Sequence, residues 1–124
     1  MQKFFLTAAF ILALSCSTCA AEDLRFVDAM DDTGYYYDAD SVDHDEENSV
    51  LNVKMAVIKA GLNQMYTYDL RIDYVERTYE ILSTKTLSYD TRAEIESNNT
   101  RRPLQRYSDK AEMGQMVRLI LYGE

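Results

Sequence analysis

This 124-residue chain has one histidine, two cysteines, 21 carboxylates and 13 lysines and arginines with which to do chemistry. The histidine, His44, stands inside Asp43-His44-Asp45-Glu46-Glu47. That run is too polar to bury and reads as an exposed connection. There is no Gly-x-Ser-x-Gly elbow and no glycine-rich phosphate loop, so nucleophilic hydrolysis and nucleotide chemistry lack their usual signatures. Carboxylates are plentiful, and a pair meeting in space would suit acid-base hydrolysis. Asp38, Asp40 and Asp43 are oxygen ligands at close spacing, which suits calcium. Read from Asp38, however, the EF-hand pattern fails. Val42 is at the fifth position, Asp43 replaces the sixth-position Gly, and Ser49 replaces the bidentate Glu at the twelfth. The expectation is a solvated turn, no cofactor and no enzyme. The alternative is a small envelope hydrolase or a calcium-dependent module using the clustered carboxylates.

Arg101, Arg102, Arg106 and Lys110 form the one basic concentration in an acidic chain. They are candidates for contact with an acidic partner, such as a matrix glycan or an acidic protein face. The competing reading is an ordinary solvated loop whose arginines pair with nearby carboxylates. The net charge is −8, and becomes −9 once Lys3 is removed (12 basic against 21 acidic residues). That balance works against nucleic acid and anionic lipid as partners.

Lys3 would be lost because residues 1–21 read as a signal peptide. Phe4 to Leu14 is an apolar run too short to span a membrane, and small residues around Ala20 and Ala21 suit cleavage. Export to the periplasm, the medium or the cell surface follows, with no transmembrane helix in the mature chain. Cys16 and Cys19 both fall inside the leader, so the mature domain, 22–124, would have no disulfide. Ala13-Leu14-Ser15-Cys16 is a loose lipobox that makes Cys16 a lipidation candidate.

The elements that must position these groups show in the periodicity. Leu51, Val53, Met55 and Val57 alternate with Asn52, Lys54 and Ala56, the pattern of a strand over Val50 to Lys59 with one face buried. Tyr35 to Asp38 is an aromatic strand before it, and Leu24 to Val27 a short one before that. The Asp31-Asp32-Thr33-Gly34 turn has Gly available for positive φ. After a turn at Gly61 and Asn63, Met65 to Val75 places Tyr66, Tyr68, Leu70, Ile72 and Tyr74 on one face. Thr67 and the charge row Asp69, Arg71 and Asp73 fall on the other. Arg77 to Leu87 is a further strand whose alternation slips at Ile81-Leu82, which predicts a bulge. Thr91 to Ser97 is expected to be a short helix started by Asp90, and the stretch up to Pro103 a loop. Met113, Met116, Val117, Ile120 and Leu121 form a helical stripe, capped by Asp109 with Glu112, or by Ser108, and closed by Gly123. The fold class is therefore α+β: an antiparallel sheet of about five to six strands with a C-terminal amphipathic helix packed on one face. The opposite face, with charge and some tyrosine, is expected to be open to water. Outer-face tyrosines are the better interface candidates, for a protein partner or a homodimer.

Tyr35-Tyr36-Tyr37-Asp38-Ala39-Asp40-Ser41-Val42, followed after an acidic hairpin by the Val50 to Ile58 strand, resembles the surface-adhesin protein E family of exported bacterial proteins. The later Tyr79 strand, the polar stretch ending near Pro103 and the terminal helix agree in order. The resemblance implies an antiparallel sheet with the helix on it, and a non-enzymatic domain that binds host or envelope proteins. Members often carry cysteines that tie helix to sheet and often begin with Trp where this chain has Phe26.

Mass spectrometry of the exported protein is expected to find a free N-terminus at Ala21 or Glu22. A diacylglyceryl mass on Cys16 would instead place the domain on a membrane.

Overall fold

The computed structural model describes residues 22–123. The expected signal peptide, with Cys16 and Cys19, lies outside the described residues. Among those described, no helix is long and apolar enough to cross a membrane. The chain forms β1 (Leu24–Met30), β2 (Thr33–Asp38), β3 (Asp43–Asp45), β4 (Val50–Lys59), β5 (Gln64–Asp73), β6 (Thr78–Ser88), β7 (Glu94–Asn98), β8 (Gln105–Arg106) and α1 (Glu112–Tyr122). All strands belong to one sheet in the order β1-β2-β4-β5-β6-β7, with β3 also beside β4 and β8 beside β6. Every pairing is antiparallel. The fold is thus α+β, an antiparallel sheet with one C-terminal helix against a face.

The alternation read in the sequence decides which residues meet the helix. Leu51, Val53, Met55, Leu70, Ile72 and Val27 form the main core with Met116 and Val117 of α1. Ile72 pairs with Leu51 and Leu70 with Val53, so two neighbouring strands offer one apolar face. Leu82 is the extra residue where Ser83 faces Asp69 and Ile81 faces Leu70, so the predicted bulge is present. It restores Thr84 and Thr86 to the helix side, opposite Tyr68 and Tyr66.

Several local expectations are corrected. Residues 91–97 are not a helix. Arg92 adopts φ 63° in a tight turn, and Glu94–Asn98 runs back as a strand against β6. Two-residue periodicity is weak in so short and polar a segment, so the pairing partner decides its state. The acidic connection also contributes a strand: Asp43, His44 and Asp45 pair with Asn52, Leu51 and Val50. The first turn places its positive φ on Asp31, at 55°. Gly34 lies in β2, where a Cβ would come within 2.8 Å of the Tyr36 ring.

The second face is not wholly open either. Ala56, Ile58 and Met65 are buried there with Leu24, Tyr36, Leu87 and Tyr89 packed around them. The sheet coils so far that Arg92 Nε comes within 3.2 Å of Glu22 Oε1. β2, β4 and β5 separate β1 from β6 in the sheet order. Such curling is how a twisted sheet covers its own concave side. Only the other end of this face keeps the charge row, with Asp69, Arg71 and Asp73.

Neither Asp109 nor Ser108 caps α1 as a side chain on its first turn; the N-cap is Ala111, without a side-chain bond. Asp109 instead ion-pairs with Arg77 at 3.1 Å. The Ser108 carbonyl accepts from Ala111 N at 3.1 Å, and the Asp109 carbonyl from Arg118 Nη1 at 2.6 Å. The turn therefore folds back along the helix. A Cβ at Gly114 would collide with the Ser108 carbonyl and lie 2.5 Å from Asp109 Cα. Gly123, at φ 74°, closes the helix through its N–H to the Leu119 carbonyl, as its position suggests.

Gly114→Ala is expected to lower unfolding stability by about 1–3 kcal/mol, because both colliding groups are backbone. Met116→Ala should remove about 2–5 kcal/mol by opening a cavity in the core. Urea melts of the two variants check both values.

Candidate functional site

α1 covers only one end of its sheet face. It lies against β1 and β2, with Gln115 Nε2 donating to Asp28 Oδ2 at 3.3 Å. Past its N-terminal end the same face carries Tyr35, Val57, Tyr66 and Tyr68, all half-buried. A groove of about 420 Å3 runs between this floor and the segment that leads into α1. Tyr35, Tyr68, Tyr79, Tyr107, Met55 and Met113 line it. It continues into a hollow of about 340 Å3 over Thr33, Val57, Lys59 and Tyr66. A second hollow, of about 300 Å3, lies between Tyr66, Tyr68 and β7. The three share Tyr68, so together they form one open trough.

The leading segment is held by backbone bonds. Arg102 N donates to the Ile81 carbonyl at 2.9 Å, and Tyr107 N to the Arg77 carbonyl at 3.0 Å. Tyr79 Oη donates to Gln105 Oε1 at 2.7 Å. These anchors complete the free edge of β6 between β7 and β8, so the wall of the groove is sheet-like although Pro103 interrupts it.

Burial pushes the Tyr68 phenol above its ordinary range, against the pull of the Arg102 charge. Burial, and then the charge of Glu112, does the same to Tyr35. Tyr107 is raised by burial and then by Asp109. Each ring is thus neutral and partly desolvated, a floor suited to stacking and edge hydrogen bonds rather than to proton transfer at neutral pH.

Two of the four basic candidates, Arg102 and Arg106, meet at the groove, and the other two lie apart from it. Arg101 ion-pairs with Glu80 at 3.2 Å. Arg102 lines the trough. Arg106 pairs opposite Thr78, lines the groove with Arg102, and also borders a pocket of about 440 Å3 on the other face, with Arg71, Asp73, Glu76 and Glu80. Lys110 is exposed and reaches none of these hollows. Adjacent residues on a strand-like segment point to opposite faces, which is why Arg101 and Arg102 part while Arg102 and Arg106 share the groove.

The acidic candidates are drawn apart. Asp38 is buried, and its Oδ1 accepts from Asp23 N and Asp40 N, each at 3.0 Å. It shapes the single 3-10 turn that separates β2 from β3. His44 Nε2 lies 2.8 Å from Tyr74 Oη, with the two rings edge to face. Among the described residues, no three His, Cys, Asp or Glu side chains gather as metal ligands would.

Protein-family models, curated proteins and solved structures were all compared with this chain, and none matches it. The trough therefore has to be read from its own chemistry. The sequence offered outer-face tyrosines as interface candidates. Tyr36 and Tyr89 lie on that face, while Tyr35, Tyr66, Tyr68, Tyr79 and Tyr107 border the helix-side trough. The signal was present in β5, where Tyr66 and Tyr68 share a face with the core residues Leu70 and Ile72.

Because the folded state raises these tyrosines, the stability they contribute is complete below their unfolded value of about 10 and declines as pH rises through the folded values. Urea midpoints should therefore fall on alkaline titration. The fall should be shallower in Tyr68→Phe, which keeps the ring and removes the ionisable hydroxyl.

Proposed function

We propose that the chain is an exported, non-enzymatic binding domain of the bacterial envelope, and that it holds a protein partner on the open half of its helix-side face. The observation that carries this reading is the uncovered floor of Tyr35, Val57, Tyr66 and Tyr68 beside a fully packed core. Rings already held by a sheet lose little conformational entropy when a partner covers them, and tyrosines are the usual anchors of such contacts. The polar rim of Thr33, Lys59, Glu112 and Arg102 around that floor follows the anatomy of a protein interface. The signal-peptide pattern supports export. The likeness of Tyr35 to Val42 and of the β4 strand to surface-adhesin protein E supports a host or envelope protein as the partner. The mechanism is surface complementarity from a rigid sheet, without a cofactor.

A photo-activated cross-linking residue placed at Lys59 or Thr33, on the trough, tests the reading in intact cells. A discrete protein adduct from these positions, absent when the residue is placed at Asn52 on the opposite face, is the expected result. Adducts from Asn52 alone, or from none of the three, would remove the trough as the binding surface.

A further inference from the structure

The hollow between β5 and β7 differs in chemistry from the rest of the trough. Its floor is two tyrosine rings, but its walls are hydroxyl, amide and charged groups. Thr84 faces Tyr68 across the β5–β6 pair, and Asn98 faces Thr84 across the β6–β7 pair. Three neighbouring strands thus place phenol, hydroxyl and carboxamide in one row. Glu96, two residues along β7, adds a carboxylate acceptor on the same face. Arg102 closes the row from the segment that leads to α1.

Several cations of the described residues, among them Lys59, Arg71, Arg106 and Arg118, are in no ion pair, and Arg102 is the one of these that lines this hollow. Arg25, Arg77, Arg92 and Arg101 are ion-paired with Asp23, Asp109, Glu22 and Glu80. Lys85, the other cation at this hollow, lies 3.8 Å from Glu94. Among the described residues, Arg102 has no carboxylate within ion-pairing distance. It lines the same hollow as Tyr66 and Tyr68, and its charge acts on the Tyr68 phenol.

We propose that this hollow is a saccharide subsite, and that it takes an acidic sugar ring of a glycan carried by the partner. The inference rests on the reading of the trough as a binding surface and names the chemistry of one end of it. A pyranose has an apolar C–H face and a rim of hydroxyls. The face stacks on Tyr66 and Tyr68, whose rings are already partly desolvated. The hydroxyls exchange bonds with Thr84, Asn98 and Glu96, which between them supply both donors and acceptors. The sugar carboxylate meets the Arg102 fork, the geometry that guanidinium recognises bidentately. An apolar peptide anchor would leave the walls' polar groups unpaired, which disfavours it. A bare anion could accept from Arg102, Thr84 and Asn98, but it would leave the Tyr66 and Tyr68 faces without a stacking partner and would be repelled by Glu96.

Amide chemical shifts of the processed chain, titrated in parallel with glucuronic acid, glucose and inorganic phosphate, test the proposal. Glucuronic acid is expected to shift Tyr66, Tyr68, Thr84 and Asn98, and to bind about tenfold more tightly than glucose. Arg102→Gln should lower the glucuronic acid affinity about tenfold, towards that of glucose, while Lys110→Gln leaves it unchanged. Asn98→Ala should weaken both sugars. Phosphate reproducing the glucuronic acid shifts would reduce the site to an anion contact and overturn the proposal. So would the absence of shifts with either sugar, or shifts confined to the Arg71 and Arg106 pocket. Trough cross-links without sugar binding would overturn this inference alone; sugar binding without cross-links would overturn the protein-partner reading alone.

Discussion

Gly114 and the Ser108–Asp109 turn occupy the same few ångströms, and the position of the helix depends on that contact. A side chain at Gly114 would meet backbone, so the turn and the first helical turn are locked together. The Arg118 guanidinium reaches the Asp109 carbonyl, and Arg77 holds the Asp109 carboxylate. With its start fixed, α1 delivers Met116 and Val117 to the face made by Leu51, Val53, Leu70 and Ile72. No cysteine in the described domain ties helix to sheet; close packing and these polar bonds hold the two layers together.

The same lock limits what the helix can cover. Eleven helical residues span about 16 Å, whereas ten-residue strands such as β4 and β5 span about 33 Å. Half of the face is left beyond the helix. An apolar half-face would be an aggregation hazard, and the chain meets it with tyrosine, threonine and charge rather than Leu or Ile. Val57 and Lys59 are the β4 helix-face residues that are not buried, and they lie where the tyrosines begin. The trough is thus a direct result of a short helix on long strands.

The opposite face divides in the same way. Curling of the sheet buries Ala56, Ile58 and Met65, while Asn52, Lys54 and Arg71 keep the other end wet. Asp38, which looked like a ligand in the sequence, serves the backbone by taking two amide donors. Asp73 likewise receives Val75 N and Glu76 N at its turn. Carboxylates at turns are used in this way because they supply the acceptors that reversing backbone lacks.

Period-two alternation in β4 and β5, its slip in β6 and the stripe from Met113 to Leu121 were enough to determine the layers, the bulge at Leu82 and the face that meets the helix. These follow from local geometry, in which a residue's neighbours along the chain decide its direction. What the alternation could not convey was distance across the sheet. Glu94–Asn98 became a strand because the free edge of β6 was there to receive it. Arg101 parted from Arg102 because two faces lay on either side of one segment. Tyr35, Tyr66 and Thr84 are far apart in sequence, and only strand pairing sets them side by side. The trough belongs to that pairing, and to the point at which an eleven-residue helix runs out.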